Sequence, residues 1–229
     1  MADHPVLLIT GASSGIGAAT ARHAVEAGWR VVLGARSEDK LRSLAAELGE
    51  DRALARRCDV TEWNDQQELV AAALEAFGRL DASLANAGFG AKRGFLEETV
   101  EHWRAMVDTN VYGVALSIRA ALGHFRDAGS GHMLLMSSVA GRRALPGSLY
   151  AATKHAVTAM GEGLRAEVSD SDIKVTLIEP GTVDTPFFSN RPEGALDPED
   201  VARAVVYALS QPAHVDVNEV LVRPVRQPS

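Results

Sequence analysis

The sequence T-G-A-S-S-G-I-G occupies residues 10–17, directly after the apolar run V-L-L-I at 6–9 and before the helix-like run A-A-T-A-R-H-A-V at 18–25. Glycines at a strand-to-helix turn let the backbone bend tightly and approach a ligand closely. The helix that follows attracts phosphate through its free N–H groups. This position predicts a pyrophosphate-binding turn; a glycine-rich turn without a ligand is the alternative. A nucleoside triphosphate site is not favoured, because no Gly-Lys-Ser/Thr sequence follows.

Short apolar runs alternate with longer helical patterns along the rest of the chain. They predict strands at 6–10, 31–35, 54–57, 82–85, 133–136, 175–178 and 220–222. The predicted helices are 16–27, 39–48, 61–77, 98–108, 111–125, 150–168 and 198–210. Such alternation forms parallel β-α-β units, and the apolar strands imply a sheet covered on both faces. We predict an α/β fold: a single domain over residues 1–229 with a doubly wound, Rossmann-type parallel sheet of about seven strands and helices on both faces.

Composition excludes several functional classes. The 229 residues include 23 Lys and Arg against 30 Asp and Glu, a net charge of −7, which argues against nucleic acid as the main partner. The sequence contains no run of eighteen apolar residues, so no membrane span is predicted, and the N-terminus lacks the pattern of a signal peptide. Cys58 is the single cysteine and is expected to be a core residue, and the histidines lack metal-binding spacing. We therefore predict a cytoplasmic protein without a metal or a membrane partner.

Several further motifs follow the glycine turn. They are Asp59-Val60, Asn86-Ala87-Gly88, D-T-N-V-Y-G with Asn110, M-S-S-V-A-G with Ser138, Y-A-A-T-K from Tyr150 to Lys154, and P-G-T-V-D-T at 180–185. In this order, from residue 10 to 185, they resemble the motifs of the short-chain dehydrogenase/reductase family. Two departures occur: Ala85 replaces the first asparagine of the family's N-N-A-G, and the Ser138–Tyr150 loop is one residue short. Ser137 would restore the usual count but would break the S-x-x-G match, so Ser138 is preferred.

The resemblance implies a role for each matching residue. The implied catalytic residues are Asn110, Ser138, Tyr150 and Lys154. The implied cofactor-binding residues are Gly11, Ser13, Ser14, Gly15, Ile16, Gly17, Arg36, Asp59, Val60, Asn86, Ala87, Gly88, Tyr150, Lys154, Pro180, Gly181, Val183 and Thr185. For some of these a structural role is the alternative: Asn110 as a buried amide, Asp59 as a turn cap and Thr185 as a turn residue.

The residue types at 138, 150 and 154 suit the reduction of a carbonyl group. Hydride addition to carbon leaves negative charge on oxygen, so a proton donor must stand at that oxygen. Lys154 lies one helical turn from Tyr150, and its positive charge, together with that of oxidised nicotinamide, is expected to lower the pKa of the phenol from its usual value of about 10. Ser138 would donate a hydrogen bond to the same oxygen, and Asn110 would position a water that links Lys154 to solvent.

Arg36 follows the second predicted strand, where an NAD-dependent enzyme would carry an acidic residue against the ribose 2′-hydroxyl. A guanidinium there pairs instead with a 2′-phosphate, which predicts NADP(H) as the cofactor. A solvated arginine is the alternative.

These features predict an NADP-dependent oxidoreductase that interconverts a hydroxyl group with a ketone or aldehyde on a small substrate. The alternatives are a non-catalytic NADP(H)-binding regulator or redox sensor, and an isomerising or dehydrating family member. The tail at 217–227 is similar to that of the family's hydroxy-acid, serine-type dehydrogenases, which weakly favours a small polar substrate. The family also implies a homo-oligomer, a tetramer or dimer. Arg142 and Arg143 could bind a carboxylate or form a solvated loop; Phe187 and Phe188 could form a lid or a fixed core.

Overall fold

The computed structural model of the chain describes residues 4–188, 190 and 192–227. Its seven strands are β1 (Val6–Thr10), β2 (Arg30–Ala35), β3 (Ala53–Arg57), β4 (Ala82–Ala85), β5 (Ser130–Met136), β6 (Asp172–Pro180) and β7 (Glu219–Val222). Its α-helices are α1 (Gly15–Glu26), α2 (Glu38–Leu48), α3 (Trp63–Phe77), α4 (Val100–Val107), α5 (Gly113–Ala128), α6 (Leu149–Glu167) and α7 (Pro198–Leu209).

The strands form one sheet in the order β3-β2-β1-β4-β5-β6-β7, with every neighbouring pair parallel. The predicted seven-stranded α/β fold is therefore confirmed. The chain runs outward from β1 to β3, then returns to place β4 on the other side of β1. Beyond the carboxyl ends of β1 and β4, this reversal opens the crevice in which doubly wound sheets bind ligands.

Successive residues of β1 pack on opposite faces of the sheet, as strand geometry requires. Leu7 and Ile9 belong to one apolar cluster, which includes buried residues of α1, α2 and α7. Val6 and Leu8 belong to a second cluster, which includes buried residues of α3, α5 and α6. Both faces are therefore covered by helices, which explains why the central strands read as continuous apolar runs.

The structure differs most from the sequence-based prediction at two strands and one helix boundary, and most other element ends shift by one to three residues. β5 and β6 are longer than predicted, because their polar first residues pair in parallel register, beginning with Ser130 opposite Asp172. The predicted break between the fourth and fifth helices is instead a π-helical turn, Asp108–Tyr112, which joins α4 directly to α5. The backbone keeps right-handed helical φ and ψ at Val107, Asp108, Tyr112 and Gly113, so the helix continues through this turn.

A buried histidine makes the fold sensitive to acid. His132 of β5 is 4% exposed, and its Nε2 lies 2.8 Å from Thr176 Oγ1, which itself donates to Val217 O. The Thr176 hydroxyl has only that one proton, so His132 Nε2 donates the hydrogen of this bond. Burial, with a smaller contribution from the charge of Lys174, lowers the pKa of His132 to about 3.

We expect the free energy of unfolding to decrease as pH falls below the unfolded-state value of about 6.5. Below that pH, His132 is protonated in the unfolded chain, whereas in the folded chain it stays neutral until the pH approaches about 3. Each pH unit should remove ~1.4 kcal/mol relative to His132→Gln, which keeps a donor but does not titrate. Urea unfolding of both proteins between pH 7 and 5 measures the difference; parallel pH slopes would contradict it.

Candidate active site

The glycine turn packs too closely against its surroundings for other residues. Gly11 has a φ of +66°, and a Cβ on it would lie 2.8 Å from the Cα of Ala87. A Cβ on Gly17 would overlap the carbonyl oxygen of Gly11. The turn leads into α1, where the N-terminal residue Ser14 makes no side-chain capping bond. The glycines therefore form an open cradle at the helix N-terminus, where the backbone can approach a ligand beside Ser13 and Ser14.

The end of β4 is tied to the end of β1 by hydrogen bonds. The N–H groups of Asn86 and Ala87 donate to Thr10 Oγ1 at 3.1 and 3.2 Å. Asn86 Nδ2 donates to the carbonyl oxygens of Thr10 and Gly11 at 3.0 and 3.3 Å. Asn86 thus holds the two strand ends together at the switch point, which sets the width of the crevice.

A cleft of about 1100 Å³ lies along these strand ends. Arg36, after β2, lines it, as do Tyr150 and Lys154 of α6. Of the residues implied by the motifs, only Gly17 and Asn110 do not line the cleft. Those that do are Gly11, Ser13, Ser14, Gly15, Ile16, Arg36, Asp59, Val60, Asn86, Ala87, Gly88, Ser138, Tyr150, Lys154, Pro180, Gly181, Val183 and Thr185.

Asp59 lies on the cleft wall after β3. Its Oδ1 accepts hydrogen bonds from the N–H and Oγ1 of Thr61 at 3.1 and 2.8 Å, so it also caps the turn before α3. Burial tends to raise the pKa of Asp59, but the bonds from Thr61 and the charge of Arg36 outweigh it and lower the pKa. The adjacent Cys58 is buried, and burial raises its thiol pKa to about 12, in keeping with a core residue.

The two candidate serines face different partners. Ser137 Oγ donates to the carbonyl oxygen of Lys154 at 3.2 Å and lies 2.9 Å from Thr158 Oγ1, so it is engaged with the backbone and side chains of α6. Ser138 Oγ donates to Pro180 O at 3.3 Å. It also interacts with the Tyr150 hydroxyl, and this interaction partly opposes the rise in the pKa of Tyr150 that burial causes. Of the two serines, Ser138 is therefore the one that interacts with the Tyr150 hydroxyl.

Tyr150 and Lys154 lie one turn apart on α6. Lys154 is 5% exposed; its Nζ donates to Met136 O at 2.7 Å and lies 5.7 Å from the centroid of the Tyr150 ring. Burial lowers the pKa of Lys154 to about 8 and raises that of Tyr150 to about 12. The direction for Tyr150 is opposite to the sequence-based expectation, because loss of water around the phenol outweighs the interactions that favour its anion.

Asn110 is fully buried in the π-helical turn. Its Oδ1 accepts from the N–H of Phe89 at 3.0 Å, and its Nδ2 donates to Phe89 O at 2.8 Å and Thr153 Oγ1 at 3.2 Å. Both amide protons are therefore used, one to hold the loop after β4 and the other to contact α6. This is the buried-amide alternative considered from the sequence; a water relay through Asn110 remains a prediction.

The loop after β6 folds across the cleft. The side chain of Thr185 lies beside Gly15 of the glycine turn. The ring of Phe187 contacts the Tyr150 ring edge-on, with centroids 5.3 Å apart. It also lies against Gly90, where any Cβ would overlap the Phe187 ring. Phe187 therefore reaches from one wall of the cleft to the other, beside Tyr150.

Sequence reasoning missed several residues of this site, and Phe89, Gly90 and Gln227 are examples. Gly90 and Phe89 belong to a glycine-rich loop whose partners are distant in the chain, so no local spacing identified them. Gln227 in the C-terminal tail accepts a hydrogen bond from the N–H of Thr182 at 2.8 Å and lines the cleft. No pattern around Gln227 indicated this contact.

Arg142 and Arg143, for which the sequence allowed either a carboxylate site or a solvated loop, have different surroundings. Arg142 makes ion pairs with buried Glu179 at 2.7 Å and with Glu219 at 2.6 Å. The bonds from these two carboxylates raise its pKa further. Arg142 is thus bound within the protein, whereas Arg143 lines the cleft.

Within the described ranges, no helix is long and apolar enough to cross a membrane. The same residues contain no group of three or more His, Cys, Asp or Glu side chains arranged to hold a metal ion.

Known proteins that resemble this chain in sequence or structure include oxidoreductases. The chain is 45% identical over 224 residues to an uncharacterized oxidoreductase of Staphylococcus haemolyticus, covering 96% of this chain and 97% of the relative. An alcohol dehydrogenase from Thermococcus sibiricus, complexed with 5-hydroxy-NADP, is similar in structure, with a TM-score of 0.91, 33% identity and 99% coverage of both chains.

A closed form of serine dehydrogenase complexed with NADP+ has a TM-score of 0.90 and 30% identity, covering 98% of this chain and 96% of that one. A 3-ketoacyl-(acyl-carrier-protein) reductase from Brucella melitensis, complexed with NADH, has a TM-score of 0.89 and 30% identity, covering 97% and 98%. Residues 5–195 match the family described as short chain dehydrogenase. The glycine turn, the Tyr150–Lys154 pair and these matches place the chain in the short chain dehydrogenase family, as an oxidoreductase.

Proposed function

We propose that the protein is an NADP-dependent oxidoreductase that interconverts a hydroxyl group with a ketone or aldehyde on a small molecule. The observation that carries this proposal is the placement of Tyr150, Ser138 and Lys154 around one cleft, which the glycine turn also lines. A proton donor, a hydrogen-bond donor and a cation are thereby available at one end of a dinucleotide-sized crevice.

The cleft suits a nicotinamide dinucleotide. The cradle at Gly11 and the N-terminus of α1 would hold the pyrophosphate, because free N–H groups at a helix N-terminus attract phosphate and the glycines allow the backbone to approach it. Arg36 would pair with a 2′-phosphate, and Lys154 would bind the nicotinamide ribose. When bound, the cofactor supplies hydride transfer to or from the substrate carbon.

The protein's own residues would donate a proton and a hydrogen bond to the substrate oxygen. A proton donor must hold its proton until it is needed, and burial keeps Tyr150 protonated at neutral pH. Tyr150 would transfer this proton to the oxygen as negative charge develops there. Ser138 would donate a hydrogen bond to the same atom. The Lys154 ammonium would stabilise the phenolate that remains, since its pKa of about 8 keeps it mostly charged at pH 7.

The proposal is tested by following NADPH absorbance with purified protein against a panel of small ketones and aldehydes, and NADP+ reduction with the matching alcohols. Turnover with stoichiometric cofactor oxidation is the expected result. NADPH binding without turnover anywhere in the panel would favour the regulatory alternative instead. Turnover of substrate without net cofactor change would favour an isomerising or dehydrating enzyme.

We also propose that Phe187 forms part of the substrate wall. Gly90→Ala would place a methyl group where the Phe187 ring now lies and would push the ring away from Tyr150. We expect kcat/KM to fall about tenfold or more, the usual effect of one misplaced apolar group in a pocket. In a Phe187→Ala background the same change should have an effect of less than about threefold, because the clash is gone. Equal effects in both backgrounds would contradict this contact.

Assembly and location are further proposals. A homo-oligomer, dimer or tetramer, is expected to form through α5 and α6, and light scattering on the purified protein measures its mass. Cytoplasmic location stays a prediction.

A further inference from the structure

The side chains that line the cleft differ in charge from the rest of the chain. The protein carries a net charge of −7, yet Asp59 is the single acidic residue among the described residues that line the cleft. The basic residues there are Arg36, Arg93, Arg143, Lys154 and Arg223. Arg36 and Lys154 already have proposed roles toward the cofactor. The others have no role in the mechanism given above.

Arg93 and Arg143 belong to one rim of the cleft. The loops that carry them are joined, because the N–H of Gly94 donates to Gly147 O at 2.8 Å. Gly147 has a φ of +59°, and a Cβ on it would lie 2.6 Å from Gly94 N, so the two loops are in direct backbone contact. The rim continues through Ser148, whose Oγ caps α6 by accepting from Ala151 N at 3.1 Å.

This rim leads directly to the proposed chemistry. Tyr150 is the second residue of α6 and follows Ser148 closely. Ser148, Tyr150, Arg93 and Arg143 all line the same cleft. A substrate whose carbonyl oxygen meets Tyr150 would therefore share the cleft with the two guanidinium groups.

Neither of these arginines is neutralised within the described part of the chain. Arg93 and Arg143 are exposed to the open cleft and make no ion pair with a described residue. The neighbouring Arg142 provides the contrast, because Glu179 and Glu219 hold it on both sides. Unpaired guanidinium groups beside a reaction site recognise planar or tetrahedral anionic oxygen groups through two parallel hydrogen bonds.

We propose that Arg93 and Arg143 bind an anionic oxygen group of the substrate, a carboxylate or a phosphate, on the same molecule as the reacting carbonyl. This inference rests on the proposed function and specifies its substrate class. In the reaction, NADPH and one proton convert the carbonyl group of the anionic substrate to a hydroxyl group, with release of NADP+. The carbonyl carbon gains the hydride, its oxygen gains the proton, and the anionic group is unchanged.

The test compares each anionic substrate with a neutral partner of similar shape. Acetoacetate is paired with methyl acetoacetate and levulinate with methyl levulinate, which removes the carboxylate charge. Dihydroxyacetone phosphate is paired with dihydroxyacetone, which distinguishes phosphate from carboxylate. We expect kcat/KM to be at least about tenfold higher for the anionic member of one series, and this preference to weaken as KCl is raised.

Variants locate the effect. Arg143→Gln and Arg93→Gln should each lower the anionic-to-neutral ratio of kcat/KM by about 10–100-fold, the range expected for hydrogen bonds between charged groups. The matched control is Arg104→Gln, which removes the same charge from an exposed position on α4 outside the cleft and should leave the ratio unchanged.

The outcomes separate this inference from the proposed function. Equal turnover of anionic and neutral substrates, or an unchanged ratio in both variants, would overturn the arginine site while the oxidoreductase remains. An equal change in Arg104→Gln would also overturn it, because the effect would then be general electrostatics. Absence of turnover with every carbonyl of the wider panel would instead remove the proposed function.

Discussion

Tyr150→Phe is expected to lower kcat for carbonyl reduction by about 10²–10⁴-fold, the usual contribution of a positioned general acid. The substitution removes one oxygen from a half-buried ring and keeps the edge-on contact with Phe187. The fold should therefore be unaffected, and the loss should lie in kcat. Steady-state kinetics with NADPH and the best carbonyl of the panel measures it.

The control for this variant is cofactor binding. Titration of NADPH fluorescence and a thermal unfolding curve should show that Tyr150→Phe still folds and binds NADPH. A variant that keeps wild-type turnover would exclude Tyr150 as the proton donor. Ser137→Ala and Ser138→Ala extend the comparison, because only Ser138 interacts with the Tyr150 hydroxyl. We expect the larger loss of kcat in Ser138→Ala.

The same residue should determine the pH dependence in the oxidation direction. There Tyr150 must act as a base, and burial raises its pKa to about 12, so its active form becomes more abundant as pH rises. We expect kcat/KM for alcohol oxidation to increase with pH above neutrality in the wild type. The increase should be absent from the residual activity of Tyr150→Phe.

Arg36→Ala is expected to lower kcat/KM for NADPH by about 10–150-fold, which corresponds to ~1.5–3 kcal/mol for hydrogen bonds to a charged group. Arg36 directly follows β2, lines the cleft beside Ser37, and its charge acts on Asp59. NADH lacks the 2′-phosphate, so its kcat/KM should change far less. Parallel titrations and kinetics with both cofactors measure the change in preference.

Arg57→Ala is the matched control for this experiment. Arg57 ends the neighbouring strand β3 and also acts on the charge of Asp59, but it does not line the cleft. It should leave the ratio of NADPH to NADH efficiency unchanged. Equal losses for the two cofactors in Arg36→Ala would mean that Arg36 stabilises the site generally and does not recognise the phosphate.

Much of the fold follows from local sequence patterns. Apolar runs and helical periodicity predicted all seven strands, because each strand contains an apolar segment between helical or turn segments. The first residues of β5 and β6 were missed because Ser130 and Asp172 are polar, and they are strands only through pairing with each other. The π-helical turn at Asp108–Tyr112 has no distinct local signal.

The sequence by itself determined the parallel α/β architecture, the glycine turn at Gly11 and the helical spacing of Tyr150 and Lys154. These features depend on residues that lie close together in the chain. Only the tertiary structure decided that Asn110 holds Phe89, that Arg142 is paired while Arg143 faces the cleft, and that Phe187 lies against Gly90. It also decided the raised pKa of Tyr150. The burial of a side chain and its choice of partner depend on which distant segments of the chain come together, and the local spacing of residues does not determine this.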